Sequence, residues 1–228
     1  MRQKAKEAPK HFNNILDKLT MTKQLILARY NENIKWVNSL PPDIEVVVYN
    51  KGTGIGNNLP NIGREAHTYL HHLCNGKLAD RMVFAQADPF YHCGKHFVFN
   101  MMEFFHGAKG FQSLSSDSLI ISEITSGDWK DFGDWQESGK LNGTSYQNLH
   151  SQSSAIIQEA KKHFGNRINK GWEFGPGACF GVSLEAVKGV KPGLLNELLQ
   201  YSQSNPANPV HGDESHVMER IWKLIFTK

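Results

Sequence analysis

Residues 83–92 read VFAQADPFYH. Three apolar residues with strand character run into Gln86-Ala87-Asp88, and Pro89 forbids the strand from continuing because it has no N–H to donate. The segment reads either as an ordinary Asp-Pro turn or as the end of a central strand that delivers polar groups to the carboxyl edge of an α/β sheet, where open sheets of this class bind ligands. The flanking sequence favours the second reading. Upstream, KQLILARY ends in a strand over 25–30, and IEVVVYN (44–50) is nearly continuous and β-branched, as expected of a strand buried on both faces. Between them, Ile34, Val37 and Leu40 recur at three-residue intervals, which predicts a helix over 32–40 that Pro41-Pro42 ends. In REAHTYLHHLCNG, Ala66, Tyr69, Leu70, Leu73 and Cys74 form one apolar helical stripe, with Asn61 expected to cap its start and Gly76 to follow its end. The order β-α-β-loop-α-β predicts a mainly parallel α/β sheet flanked by helices.

Farther along, HFVFNMMEFF predicts a helix within 94–110 and SLIISEI a strand. The polar, aromatic stretch from Gly127 to Tyr146 reads as part of an inserted lobe or lid spanning 111–150, in which Trp129, Phe132 and Trp135 recur every three residues. A helix is expected over 152–164, then WEFGPGACFGVS as a Gly-interrupted aromatic strand, then helices at 183–188, 192–203 and 213–226. Residues 1–22 form a basic arm and 23–228 one domain.

The Gly-rich stretch KGTGIGNNLPNIG contains G-x-G but lacks the dinucleotide fingerprint, so it reads as a loop. Five basic and two acidic residues fall in the first 20 positions, leaving twenty charges of each sign in the rest of the 228-residue chain. A balanced body gives no support to a nucleic-acid-binding face, which needs a concentrated surplus of Lys and Arg. No apolar run reaches the roughly 20 residues of a membrane span, and the first residues lack a secretory signal, so a cytoplasmic or otherwise intracellular location is the expectation. Cys74, Cys93 and Cys179 are odd in number and widely spaced, as buried free thiols would be. His67 and His71 have the i, i+4 spacing of a zinc pair but lack the Glu of H-E-x-x-H.

LILARYNENIKWV, VVVYNKG, LPNIGREAHTYLHHL, FAQADPF-x-H, GACFGVSLEAV and HVMERIWKLIF, in that order over roughly 25–226, resemble a family of domains of unknown function with glycosyltransferase-like features. That family in turn resembles the GT-A glycosyltransferases. The resemblance implies a GT-A-like fold and transfer of a sugar from a nucleotide-sugar donor to an acceptor, which could be a small molecule, a glycan or a modified nucleic-acid base. It implies Arg29, Asn31, Asn61, Arg64 and Gln86 as donor-binding residues, with Asp88, Glu214 and Glu219 in catalysis and Asp213 a further acid. Mn²⁺ or Mg²⁺ would be held by Asp88 with His216 or His92. The pattern departs from the family at Gln86, where the first acid of D-x-D is replaced by a neutral amide. That departure keeps two alternatives in view: a catalytically degenerate binding domain, and a metal-dependent hydrolase or nuclease built on Asp88 and histidines.

Overall fold

The computed structural model describes residues 21–54, 56–125, 128–132, 153–169, 171–204 and 213–228. The N-terminal arm expected over 1–22 lies almost wholly outside them. So do Trp135 and the rest of 133–150, together with the side chains of Trp129, Phe132 and Asp213.

A six-stranded sheet organises the chain. Its parallel part comprises β1 (Lys23–Arg29), β2 (Ile44–Asn50), the two-residue β3 (Asn57–Asn58) and β4 (Arg81–Gln86). β9 (Phe180–Ser183) runs antiparallel to β4, and β5 (Phe111–Ser113) antiparallel to β9, giving the order β3-β2-β1-β4-β9-β5. A second, three-stranded antiparallel sheet places β6 (Leu119–Thr125) between β7 (Asp128–Phe132) and β8 (Trp172–Phe174).

Strand alternation divides the core into two layers, because successive side chains point to opposite faces. Leu25, Leu27, Val83 and Ala85 face α3 (Phe97–His106), which follows the single turn α2 (Phe90–Cys93). Ile26, Met82, Phe84, Phe180 and Val182 face the other layer. There α1 (Arg64–Asn75) lies with α6 (Leu194–Tyr201) and α7 (Asp213–Phe226), beside α4 (Ser153–Phe164) and after the short α5 (Leu184–Lys188). Phe84 and Phe180 stack across neighbouring strands at 5.2 Å, and Trp222 of α7 packs on Phe180 at 4.9 Å. Aromatic pairs of this kind contribute roughly 0.5–1.5 kcal/mol beyond their buried area.

Three local expectations are corrected. The helix expected over 32–40 is only a 3₁₀ turn at Lys35–Ser39. The segment is too short for a full helix and is pinned to the sheet, since the Trp36 indole N–H donates to the Ala87 carbonyl at 2.9 Å. The Gly-interrupted strand is two strands in two sheets, because Gly175-Pro176-Gly177 breaks it. Asn61 does not cap α1. Gly63 enters the helix in the left-handed conformation (φ +57°), and Arg64 follows at φ +45°.

Candidate functional site

Pairing sets the first site. Arg29 lies opposite Asn50, and Ala28 opposite Gln86, so β1, β2 and β4 end together at one edge. The chain leaves β1 toward β2 and β3 on one side and returns through α1 to β4 on the other. The gap beyond β1 and β4 is therefore the point where strand order reverses, the usual place for a ligand crevice in an open α/β sheet. A cavity of about 460 Å³ opens there, lined by Ala28, Arg29, Tyr30, Glu32, Lys51, Asn61, Arg64, Glu65 and Gln86.

Four of the five residues expected at a donor site, Arg29, Asn61, Arg64 and Gln86, line this cavity. Asn31 instead braces it, because its Oδ1 accepts from the backbone N–H and hydroxyl of Thr53, both at 3.2 Å. Arg29 is also part of the frame. Its guanidinium donates to the carbonyls of Glu32 (2.9 Å) and Thr53 (3.1 Å) and to Asn50 Oδ1 (2.8 Å). The Glu32 carboxylate accepts from the N–H groups of Tyr30 and Asn31. Together these bonds tie the ends of β1 and β2 into one rigid rim.

Lys51 was not singled out from sequence, yet it sits in the cavity wall. Its ammonium donates to the carbonyls of Ile62, at 2.5 Å, and Arg64. Burial pulls its pKa down to about 8, and the nearby Glu65 carboxylate opposes that shift. An ammonium has three donors, so the third remains for a ligand. The signal available in sequence was position alone: Lys51 directly follows the last residue of a buried strand. Tyr30, 50% exposed at the rim, was also missed, and it offers a face on which a base could stack. Burial pushes the Glu65 carboxyl up, with Arg64 as the main opposing charge and Glu219 adding to the rise. Arg64 Nε stands 3.6 Å from the Glu65 carboxylate, leaving a guanidinium that is more than a third exposed at the start of α1.

The residues expected to act on the sugar or metal are spread more widely. Asp88 follows β4, exposed, and does not line the cavity. His92 lies on α2 against Gly177, where an added Cβ would come within 2.3 Å of the His92 Cβ. Glu219 accepts from the Gly177 N–H at 2.6 Å and pairs with Arg220 at 2.9 Å. Arg220 is fully buried, with its guanidinium 4.9 Å from the centre of the Phe174 ring. Glu214 and His216 sit in the first turn of α7, with Glu214 accepting from Ser204 at 3.4 Å, and neither lines the cavity.

Among the described residues no three of His, Cys, Asp and Glu come together to hold a metal ion. At the strand end Gln86 supplies a neutral amide where a hard cation prefers charge. His67 and His71 likewise gain no third ligand. His67 is buried, its ring 6.1 Å from that of His71, and burial, with Lys51 and His71 adding to it, lowers its pKa to about 4.

A cavity of about 880 Å³ opens at the opposite end of the sheet. Two of its charged groups are engaged, Arg81 with the carbonyls of Gly107 and Lys109 and Asp80 with Thr22. A further cavity of about 420 Å³ lies between the β5–β6 connection, the β8–β9 turn and α7. Among the described residues no helix is long and apolar enough to cross a membrane.

Comparison of the chain with protein-family models, with curated proteins and with solved structures finds no significant match. The architecture is an α/β, mainly parallel mixed sheet flanked by helices, compatible with a Rossmann-like fold.

Proposed function

We propose that the chain binds a nucleotide-sugar in the cavity beyond β1, β2 and β4 and transfers the sugar, as a GT-A-like glycosyltransferase. One observation carries this reading: the crevice at the strand-order reversal gathers Arg64, Lys51 and the amino end of α1 around one space. Guanidinium, ammonium and exposed helix amides all favour a diphosphate. Arg64 grips it at the surface, and Lys51 offers its remaining donor from beneath. Departure of the nucleoside diphosphate leaves negative charge that these groups stabilise without reorganising. Tyr30 receives the base. Among the described residues no ligand set for Mn²⁺ or Mg²⁺ is assembled, so the leaving-group charge falls to Arg64, Lys51 and the helix amides.

A thermal-shift panel of UDP-, GDP- and ADP-sugars, each with Mn²⁺ or EDTA, tests the reading. A ligand at 100 times its Kd stabilises by about 2.7 kcal/mol, a Tm rise of roughly 5–10 °C for a chain of this size. The expected result is a rise with one donor class that persists in EDTA. Indifference to every nucleotide-sugar would overturn the proposal. Binding without sugar transfer or hydrolysis would favour a degenerate binding domain, the second reading, which the amide at Gln86 supports. Phosphodiester cleavage without any donor would favour the hydrolase.

A further inference from the structure

The 420 Å³ cavity lies outside the donor site, and its lining has a distinct chemistry. Asp117 is only 7% exposed, yet among the described residues its carboxylate has neither a hydrogen bond nor an ion pair. Only its backbone N–H is engaged, donating to Ser115 Oγ at 3.2 Å. Its oxygens are not fully sealed from solvent, so the carboxylate stands open to donors from a molecule that enters the cavity. Around it, Ser115 and Ser116 direct their hydroxyl protons to the His92 carbonyl, leaving oxygen lone pairs toward the space. Ser113 fits against Gly175, where an added Cβ would stand 1.9 Å from its Oγ. The half-buried Phe111 and buried Phe180 supply an apolar wall, their rings 5.6 Å apart.

We propose that this cavity binds a small neutral polyhydroxylated molecule, a monosaccharide or cyclitol, with Asp117 accepting from its hydroxyls. The volume falls in the roughly 300–1,000 Å³ range of small-molecule sites. Lys223 pairs with Glu173 and Glu219 with Arg220, so the charges left on the lining, Asp117 and Lys109, balance, and neutral hydroxyls suit it better than a cationic amine. Serine oxygens can both accept and donate, and an aromatic wall matches the C–H face of a sugar ring. Glu219 lines this cavity and also acts electrostatically on Glu65 of the donor cavity. On the transferase reading, the ligand is therefore the acceptor, and only that word rests on the reading.

Saturation-transfer NMR and calorimetric titration of the full chain, without nucleotide, test the site with glucose, galactose, mannose, N-acetylglucosamine and myo-inositol. At least one should bind, and binding should persist in excess UDP and GDP. Asp117→Asn should weaken it by about tenfold to a hundredfold, the range for a hydrogen bond to a charged group. Circular dichroism checks that the variant folds. Should it not fold, Ser113→Ala together with ligand-induced change in the environment of Trp222 reports on the same cavity. No binding by any member of the panel, or binding insensitive to both substitutions, would overturn the proposal. Nucleotide-sugar binding would survive that outcome, and sugar binding would equally survive failure of the nucleotide panel.

Discussion

Arg64 combines two properties that rarely meet in one residue. It is a non-glycine residue in the left-handed region, and its guanidinium borders a cavity. Such strain costs on the order of 1–3 kcal/mol and persists where the surroundings over-determine it. Here Lys51 holds the Arg64 carbonyl from below. Arg64→Gly should therefore leave the fold as stable or stabilise it by about 1 kcal/mol, while weakening nucleotide-sugar binding, both read from one set of melting curves with and without ligand. A loss of stability would show that the conformation is not strained. Lys51 gives a second prediction. Its folded pKa of about 8 lies below the unfolded value, so its charge fades as pH rises through 8. Diphosphate affinity should fall over the same interval, and Lys51→Met should remove that pH dependence in calorimetric titrations. Arg64 was legible in the sequence because it follows Asn-x-Gly at a helix start. Lys51 was not, because a lysine after a strand looks like any solvated charge until the backbone carbonyls that bury it are in place.

At the scale of the element, two turns have the same construction. Gly63-Arg64 and Gly177-Ala178 are each consecutive left-handed residues, one entering α1 and one preceding β9. The first glycine of each is also packed where no side chain fits. A Cβ on Gly63 would stand 2.4 Å from the Ser202 carbonyl oxygen, a backbone atom with little freedom to move. Gly63→Ala should cost about 2 kcal/mol or more, lowering Tm by roughly 4–8 °C. Unchanged melting would mean that α6 is free to shift away from α1. Most helices and strands were legible from periodicity, since the apolar stripe of α1 and the β-branched run of β2 depend only on which faces are buried. The 3₁₀ turn at 35–39 and the division of β8 from β9 were not. The first is decided by a single indole bond to Ala87, and the second by which sheet each half joins, a tertiary choice.

For the whole molecule, acid should be more damaging than the net charge suggests. His67 and His72 are almost wholly buried, and burial is the main cause that lowers both pKa values to about 4. Groups with depressed folded pKa values contribute stability that is fully present above about 6.5 and is lost as pH falls toward 4. Each accounts for at most roughly 3 kcal/mol, against a total of about 5–15 kcal/mol for an ordinary domain. Denaturant titrations should show stability declining between pH 6.5 and 4, and His72→Gln should flatten that decline. The same pH profile in the variant would exclude His72 as a source. The two cavities also divide the polypeptide. Every residue lining the first lies between 28 and 86, and every residue lining the second between 109 and 223. A genetic crossover in the codons for 93–108 would thus exchange one whole lining and keep the other. Descendants of such an event would inherit one parent's choice of first ligand and the other parent's choice of second, with Glu219 and Glu65 meeting for the first time.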